Sequence, residues 1–123
     1  MAGPEKPPRK TGLAHFFAAA GYSVGGARRL WRESAFRQEV AGLVGLLALF
    51  LIVGATPGEM LGLLLLGLLV LLVEALNTAL EEVVDHISPG WSEFAKHAKD
   101  MGSFAVMCAL VATGLYAAWV VIL

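Results

Sequence analysis

The sequence predicts an all-α membrane protein, an N-terminal amphipathic surface helix followed by three transmembrane helices. Three observations carry this. The chain of 123 residues is 58% hydrophobic and 15% charged, with a mean hydropathy of +0.73, too little charge to cover a soluble domain of this size. It holds three long apolar runs. Its nine basic residues all fall on one side of the membrane once those runs are threaded through it.

Residues 1–12, MAGPEKPPRKTG, are rich in Pro, Gly and basic residues and are expected to be a disordered tail. Residues 13–32 repeat apolar groups at helical spacing (Leu13, Phe16, Phe17, Ala20, Val24), with Arg28, Arg29 and Arg32 following. This pattern fits a helix lying in the bilayer interface, or an amphipathic helix packed on protein. The polar and amphipathic stretch before the first apolar run is not read as a signal peptide.

The first apolar run covers 40–55 and needs 36–39 to reach across a hydrocarbon core of about 30 Å. GATPGE (54–59) reads as a compact turn, with Thr56 able to cap and Pro57 suited to the first helical position. A second span is expected over about 59–86, ended by SPGWS (88–92). Residues 92–99 make a polar approach to a third span at about 99–122. Lys6, Arg9, Lys10, Arg28, Arg29, Arg32 and Arg37 precede the first span, and Lys96 and Lys99 lie between the second and third. The N-terminus is therefore expected in the cytoplasm and the C-terminus outside. Three short spans enclose little volume, so a homo-oligomer is expected.

The segment LLVEALNTALEEVVDHI (71–87) sets carboxylates into the end of a hydrophobic helix. On a wheel of about 100° per residue, Glu74, Asn77, Thr78, Glu81 and Asp85 share one stripe, and Glu82 falls to the side as a solvated neighbour. Glu74 lies about 21 Å along the helix from Met60, still in the hydrocarbon region, and Glu81 about two turns further, at the interface. An ionisable residue in the apolar slab costs about 2.5–3.5 kcal/mol and is a functional candidate; a polar patch holding helices together is the bland alternative. Interfacial carboxylates can hold Mg²⁺, which can carry a nucleoside triphosphate. A deeper carboxylate can act as general base toward a hydroxyl beneath the head groups. Lys99 could pair a phosphate, and Asp100 could orient it or assist the metal. Glu33 and Arg37 read as a surface ion pair, but Glu33 beside Glu81 becomes a second metal ligand.

Soluble nucleotide-binding and hydrolase motifs are missing from the sequence. Cys108 stands alone and reads as a buried hydrophobe; His15, His86 and His97 are scattered and read as interfacial polar residues. Two other classes remain on the residues alone. One is a proton- or ion-conducting oligomer with Glu74 as carrier, which needs polar access from both sides. The other is a non-catalytic scaffold.

Four stretches, AAGYS (19–23), ESAFRQE (33–39), VEALNTALEEVVD (73–85) and AKDMGSFAV (98–106), together resemble the bacterial integral-membrane diacylglycerol kinases over about residues 13–123. The resemblance implies transfer of the ATP γ-phosphoryl group to diacylglycerol, with Mg²⁺, by a homotrimer in the bacterial inner membrane whose sites are shared between subunits. No nucleic-acid partner is implied. By the same resemblance Glu74 is the catalytic base, and Glu33 and Glu81 are metal ligands that also face ATP. Tyr22, Gly90, Trp91, Ser92, Lys99 and Asp100 are nucleotide contacts. Phe36, Arg37, Gln38, Glu39 and Ser103 face the lipid substrate together with Glu74, and Asn77 and Asp85 are supporting polar groups. His15 and Ala18 stand where basic residues of the surface helix are expected, and RLWRE is one residue short of the pattern. Undecaprenol kinases share the superfamily; F-R-Q-E is closer to the diacylglycerol branch.

Overall fold

A computed structural model describes residues 3–123, which form four α-helices: α1 (Gly12–Leu30), α2 (Ser34–Ile52), α3 (Pro57–Ile87) and α4 (Glu93–Ile122). The expected tail covers 1–12; its residues 1–2 lie outside the described residues, and 3–11 carry no regular secondary structure. α2, α3 and α4 are long and apolar enough to cross a membrane. Helix α1 buries no residue in the chain, and its Phe16 and Phe17 are exposed.

The helices begin and end for local reasons. At the α2–α3 turn, Gly54 takes φ 74°, a left-handed conformation that only glycine adopts freely. The Ala55 amide then donates to Phe50 O (2.9 Å) and the Gly54 amide to Leu51 O (3.3 Å), so the last carbonyls of α2 are satisfied. Thr56 opens α3 with a reciprocal cap: the Glu59 amide donates to Thr56 Oγ1 (3.1 Å), and the Thr56 amide to Glu59 Oε1 (2.8 Å). Pro57 supplies the first turn, where its missing N–H costs nothing. Glu59 is therefore the third residue of α3 rather than its first.

The α3–α4 connection is short. Ser88 leaves the helical region at φ -134°, and Ser92 caps α4 by accepting from the Ala95 amide at 3.2 Å. Because that cap sits at Ser92, residues 93–99 are the first two turns of α4 rather than an approach to it. At about 1.5 Å per residue, the 31 residues of α3 and 30 of α4 reach about 45 Å, while the 19 of α2 reach about 28 Å. The excess of α3 and α4 over a hydrocarbon core of about 30 Å leaves turns of both helices free to enter water.

α3 and α4 form the most closely packed pair; α2 leans mainly on α3. The tightest packing lies near the α2–α3 turn, where Phe50, Leu63 and Ala117 are buried with Leu46, Leu47, Met60 and Tyr116 around them. Tyr116 lies so close over Gly62 that a Cβ there would overlap its ring, and its hydroxyl donates to Glu59 O (2.8 Å). Along the outer faces Leu61, Leu65, Leu68, Leu72 and Leu76 remain exposed in the single chain. Such a surface needs lipid or other protein against it.

Candidate active site

Away from that turn the bundle opens between the N-terminal part of α2, residues 70–81 of α3 and residues 103–114 of α4. Between these three helices lies an open cavity of about 720 Å³. Its polar wall is built by Glu33, Ser34, Gln38 and Glu39 from the start of α2, by Glu74, Asn77, Thr78 and Glu81 from α3, and by Ser103 from α4. Its deeper wall is mostly apolar: Leu43, Leu46, Val70, Val106, Met107 and Leu110. A spacing of three and four residues puts Glu74, Asn77, Thr78 and Glu81 on one face of α3, and that face is the one turned inward.

Glu74 is 5% exposed, the one buried carboxylate among the described residues. Thr78 Oγ1 donates to Glu74 Oε1 at 3.5 Å, a long bond, and the Glu39 carboxylate of α2 stands directly against Glu74. Glu39, from α2, faces the same cavity, and its Oε2 is buried without a hydrogen-bond partner among the described residues. Asn77 Nδ2 donates to Glu81 Oε1 at 3.3 Å, while Asn77 Oδ1 is the second buried polar atom left unpaired. Unpaired buried polar atoms are rare and costly, and both of these line one cavity.

The mouth is set by charge. Glu33 precedes α2 rather than lying within it, at φ -83° and ψ 126°, so its side chain turns back toward α1. It pairs with Arg29 (2.7 Å), not with Arg37 as spacing alone would have it. Arg37 instead donates to Trp31 O at 2.7 Å. Arg29 also pairs with Glu82, which stays exposed, so Glu82 is the solvated neighbour expected and an ion-pair partner as well. Held first by Glu33 and then by Glu82, the Arg29 guanidinium is raised above its ordinary range and stays charged.

A second cleft of about 430 Å³ lies beside the α3–α4 connection, lined by Asp85, Gly90, Trp91, Ser92, Lys99 and Asp100 among others. Lys99 pairs with Asp85 across the two helices, and Lys96 with Asp100 (2.6 Å) along α4. Ser88 Oγ and Ser92 Oγ stand 2.8 Å apart, which ties the connection to the cap of α4, and Trp91 is exposed above it. The stripe read on α3 is thus divided. Glu74, Asn77 and Glu81 face the large cavity, and Asp85, one turn on, serves the cleft.

Three residues of the predicted set lie away from both spaces. Tyr22 is exposed on α1. Phe36 is buried against Trp31, ring centroids 6.3 Å apart and nearly perpendicular, and Arg37 is bound to the Trp31 carbonyl. Gln38, Glu39 and Ser103 do face the cavity. Sequence reading missed the Arg29–Glu82 pair, because it joins residues on different helices, and for the same reason missed the contact of Asn77 with Gly102. Thr78 was legible from its place on the stripe.

The oxygen donors set a limit on a metal. Among the described residues no three His, Cys, Asp or Glu side chains cluster as a metal site. Glu33 and Glu81 line one cavity, however, and Mg²⁺ is commonly bound through one or two carboxylates, its remaining positions filled by phosphate oxygens and water. The donor set fits a magnesium ion that arrives with a phosphate ligand and does not build a resident all-protein cage.

Comparison with known proteins agrees with the geometry. Residues 21–123 match the family described as prokaryotic diacylglycerol kinase. The diacylglycerol kinase of a Sinorhizobium species is 52% identical over 114 residues, covering 93% of this chain and 83% of the relative. That of Escherichia coli K12 is 42% identical over 104 residues, covering 82% and 84%. That of Pseudomonas aeruginosa is 39% identical over 115 residues, covering 93% and 92%. A buried carboxylate in the wall of a cavity between three membrane-spanning helices, and relatives of this extent, lead to one conclusion: the chain belongs to the prokaryotic diacylglycerol kinase family and is a membrane-embedded kinase.

Proposed function

We propose that the protein transfers the γ-phosphoryl group of ATP to the free hydroxyl of diacylglycerol, giving phosphatidic acid. The observation that carries this reading is the continuity of one cavity. It runs from the carboxylates Glu33 and Glu81 at its mouth, past buried Glu74, to an apolar wall of Val106, Met107 and Leu110. A water-soluble phosphate donor suits the mouth, an acyl chain suits the apolar wall, and Glu74 lies between them.

In this reading Glu74 takes the proton of the acceptor hydroxyl as the oxygen attacks. Thr78 engages it only weakly, and the Glu39 carboxylate beside it favours return of the proton to this pair of acids. Glu33 and Glu81 are the residues that would hold Mg²⁺, which when bound neutralises charge on the β- and γ-phosphates. Lys99, freed from Asp85, offsets phosphate charge, and Asp100, Gly90, Trp91 and Ser92 form the nucleotide side of the cleft. Gln38, Glu39 and Ser103 orient the lipid head. Tyr22 reaches the site by movement of α1 or from a neighbouring subunit, and Arg37 by release from the Trp31 carbonyl or from a neighbouring subunit. Phe36 supports it by packing under Trp31.

The setting follows from the same features. The exposed apolar faces of α2, α3 and α4 are covered by lipid and by further copies of the chain, as a homotrimer whose sites are shared between subunits. α1 lies in the interface, with Phe16 and Phe17 toward lipid. The basic residues of the tail, of α1 and of the α3–α4 end put the N-terminus in the cytoplasm and the C-terminus outside, in a bacterial inner membrane.

The test is transfer of labelled γ-phosphate from MgATP in lipid micelles, with diacylglycerol and undecaprenol as parallel acceptors. Labelled phosphatidic acid from the wild type, lost in Glu74→Gln, is the expected result. Label in the polyprenol alone would replace the substrate, and no label in either lipid from folded protein would overturn the reading.

A further inference from the structure

Gly102 sits where α4 passes closest to the functional stripe of α3. A Cβ built on it would overlap Asn77 Oδ1 and stand 3.3 Å from both Asn77 Cγ and Leu80 Cδ2. The Asn77 amide therefore occupies the space that any other residue at position 102 would fill. Its oxygen is buried there with no hydrogen-bond partner among the described residues, so shape rather than bonding holds it. An amide is planar, with its oxygen and nitrogen on opposite sides. Seating the oxygen against Gly102 turns the nitrogen toward Glu81, where it donates at 3.3 Å.

We propose that Gly102 is a positioning residue for the reaction: its missing side chain seats the Asn77 amide, and the amide aims the Glu81 carboxylate into the cavity. Glu81 is only half-buried and faces an open, wet space. Without a fixed donor its carboxylate samples several rotamers. The same turn of α4 holds α3 on one side of this seat through the Lys99–Asp85 pair and on the other sends Ser103 into the cavity. One turn of α4 thus sets the polar wall of α3, and Gly102 sets the part that carries Glu81.

The clash at position 102 has an easy relief. Asn77 is a short side chain that turns about its own χ angles, so Gly102→Ala folds with the amide swung away and the bond to Glu81 broken. The inference rests on the reading that Glu81 holds the metal. The experiment therefore measures Mn²⁺ binding by electron paramagnetic resonance, in the presence of a non-hydrolysable ATP analogue, on purified full-length protein in micelles. Wild type, Glu81→Gln, Gly102→Ala, Asn77→Ala and Asn77→Ala/Gly102→Ala are compared, with thermal unfolding of each.

Residues that orient a metal ligand typically change affinity by 10–100-fold when lost. Gly102→Ala is expected to weaken Mn²⁺ binding by about tenfold, Asn77→Ala by a similar factor, and the double variant by no more than either single one. Additive losses in the double variant would overturn the inference, as would wild-type binding in Gly102→Ala. Should Gly102→Ala fail to fold, a folded double variant supports the Asn77 contact, and a second unfolded one overturns it. Retained Mn²⁺ binding in Glu81→Gln would instead remove the metal role of Glu81 and leave the steric contact standing. Lipid phosphorylation gives the companion readout: Gly102→Ala raises the KM for MgATP more than it lowers kcat.

Discussion

The two ends of the bundle solve opposite problems with the same three helices. At the α2–α3 turn, polar groups close on one another. Gly54, Ala55, Thr56 and Glu59 satisfy the ends of α2 and α3, and the Tyr116 hydroxyl is bound to the Glu59 carbonyl. Apolar side chains fill the space between, with Phe50 fully buried and Leu63 1% exposed. At the other end the helices stand apart around about 720 Å³. Both unpaired buried polar atoms found among the described residues, Glu39 Oε2 and Asn77 Oδ1, line that space. One end holds the helices together, and the other holds groups in reach of a ligand at a cost in stability. Unpaired buried polar atoms that, among the described residues, gather in one place have a reason for being there.

The contrast makes predictions that could break it. The largest is Glu74→Gln. A general base contributes about 10²- to 10⁴-fold, so phosphotransfer falls by that factor while the protein keeps its fold, because an amide replaces a carboxylate of the same shape. Activity assays and unfolding in detergent check both halves. A folded variant with full activity would reduce the polar end to a helix-packing patch. Phe50→Ala attacks the other end. Emptying that site costs about 3–5 kcal/mol, so the unfolding midpoint drops steeply, whereas the KM for MgATP of the molecules still folded stays unchanged. A change in KM as large as the loss of stability would show that the two ends are not separate.

How much of this was legible follows the same division. The four helices and three spans are periodicity and hydropathy, which a sequence displays directly. The turn was legible too, since Thr56 and Pro57 carry their geometry with them: Thr56 caps and Pro57 opens α3, two residues before the expected span begins. Glu74, Asn77 and Glu81 share an inward face because a helix makes them share one. Partnerships between helices were not legible. Arg29 could have met Glu33, Glu82 or water, and only packing decides. Spacing favoured Glu33 with Arg37, but the helix begins after Glu33, and that reverses the direction of its side chain. Gly102 gave no signal, because the reason for a glycine lies on the neighbouring helix.

Smaller effects sharpen the comparison. Thr56→Ala removes one half of the reciprocal cap and is expected to cost about 1 kcal/mol of stability with no change in KM, read from the same unfolding curves. Arg29→Gln is smaller still and belongs to the other end. Arg29 joins α1 to Glu33 and Glu82, yet all three side chains are more than a third exposed, so water and salt weaken the pairs. Its loss leaves stability unchanged and raises the KM for MgATP by roughly two- to fivefold at low salt, because Glu33 is no longer held at the cavity mouth. Mobile ions screen exposed charges within about 10 Å at 0.1 M and about 3 Å at 1 M, so the wild type and Arg29→Gln converge as salt rises. A KM difference that persisted at high salt would mean that Arg29 acts by contact with the nucleotide rather than through Glu33. A variant with an unchanged KM at low salt would leave the mouth of the cavity to be organised by α2 alone.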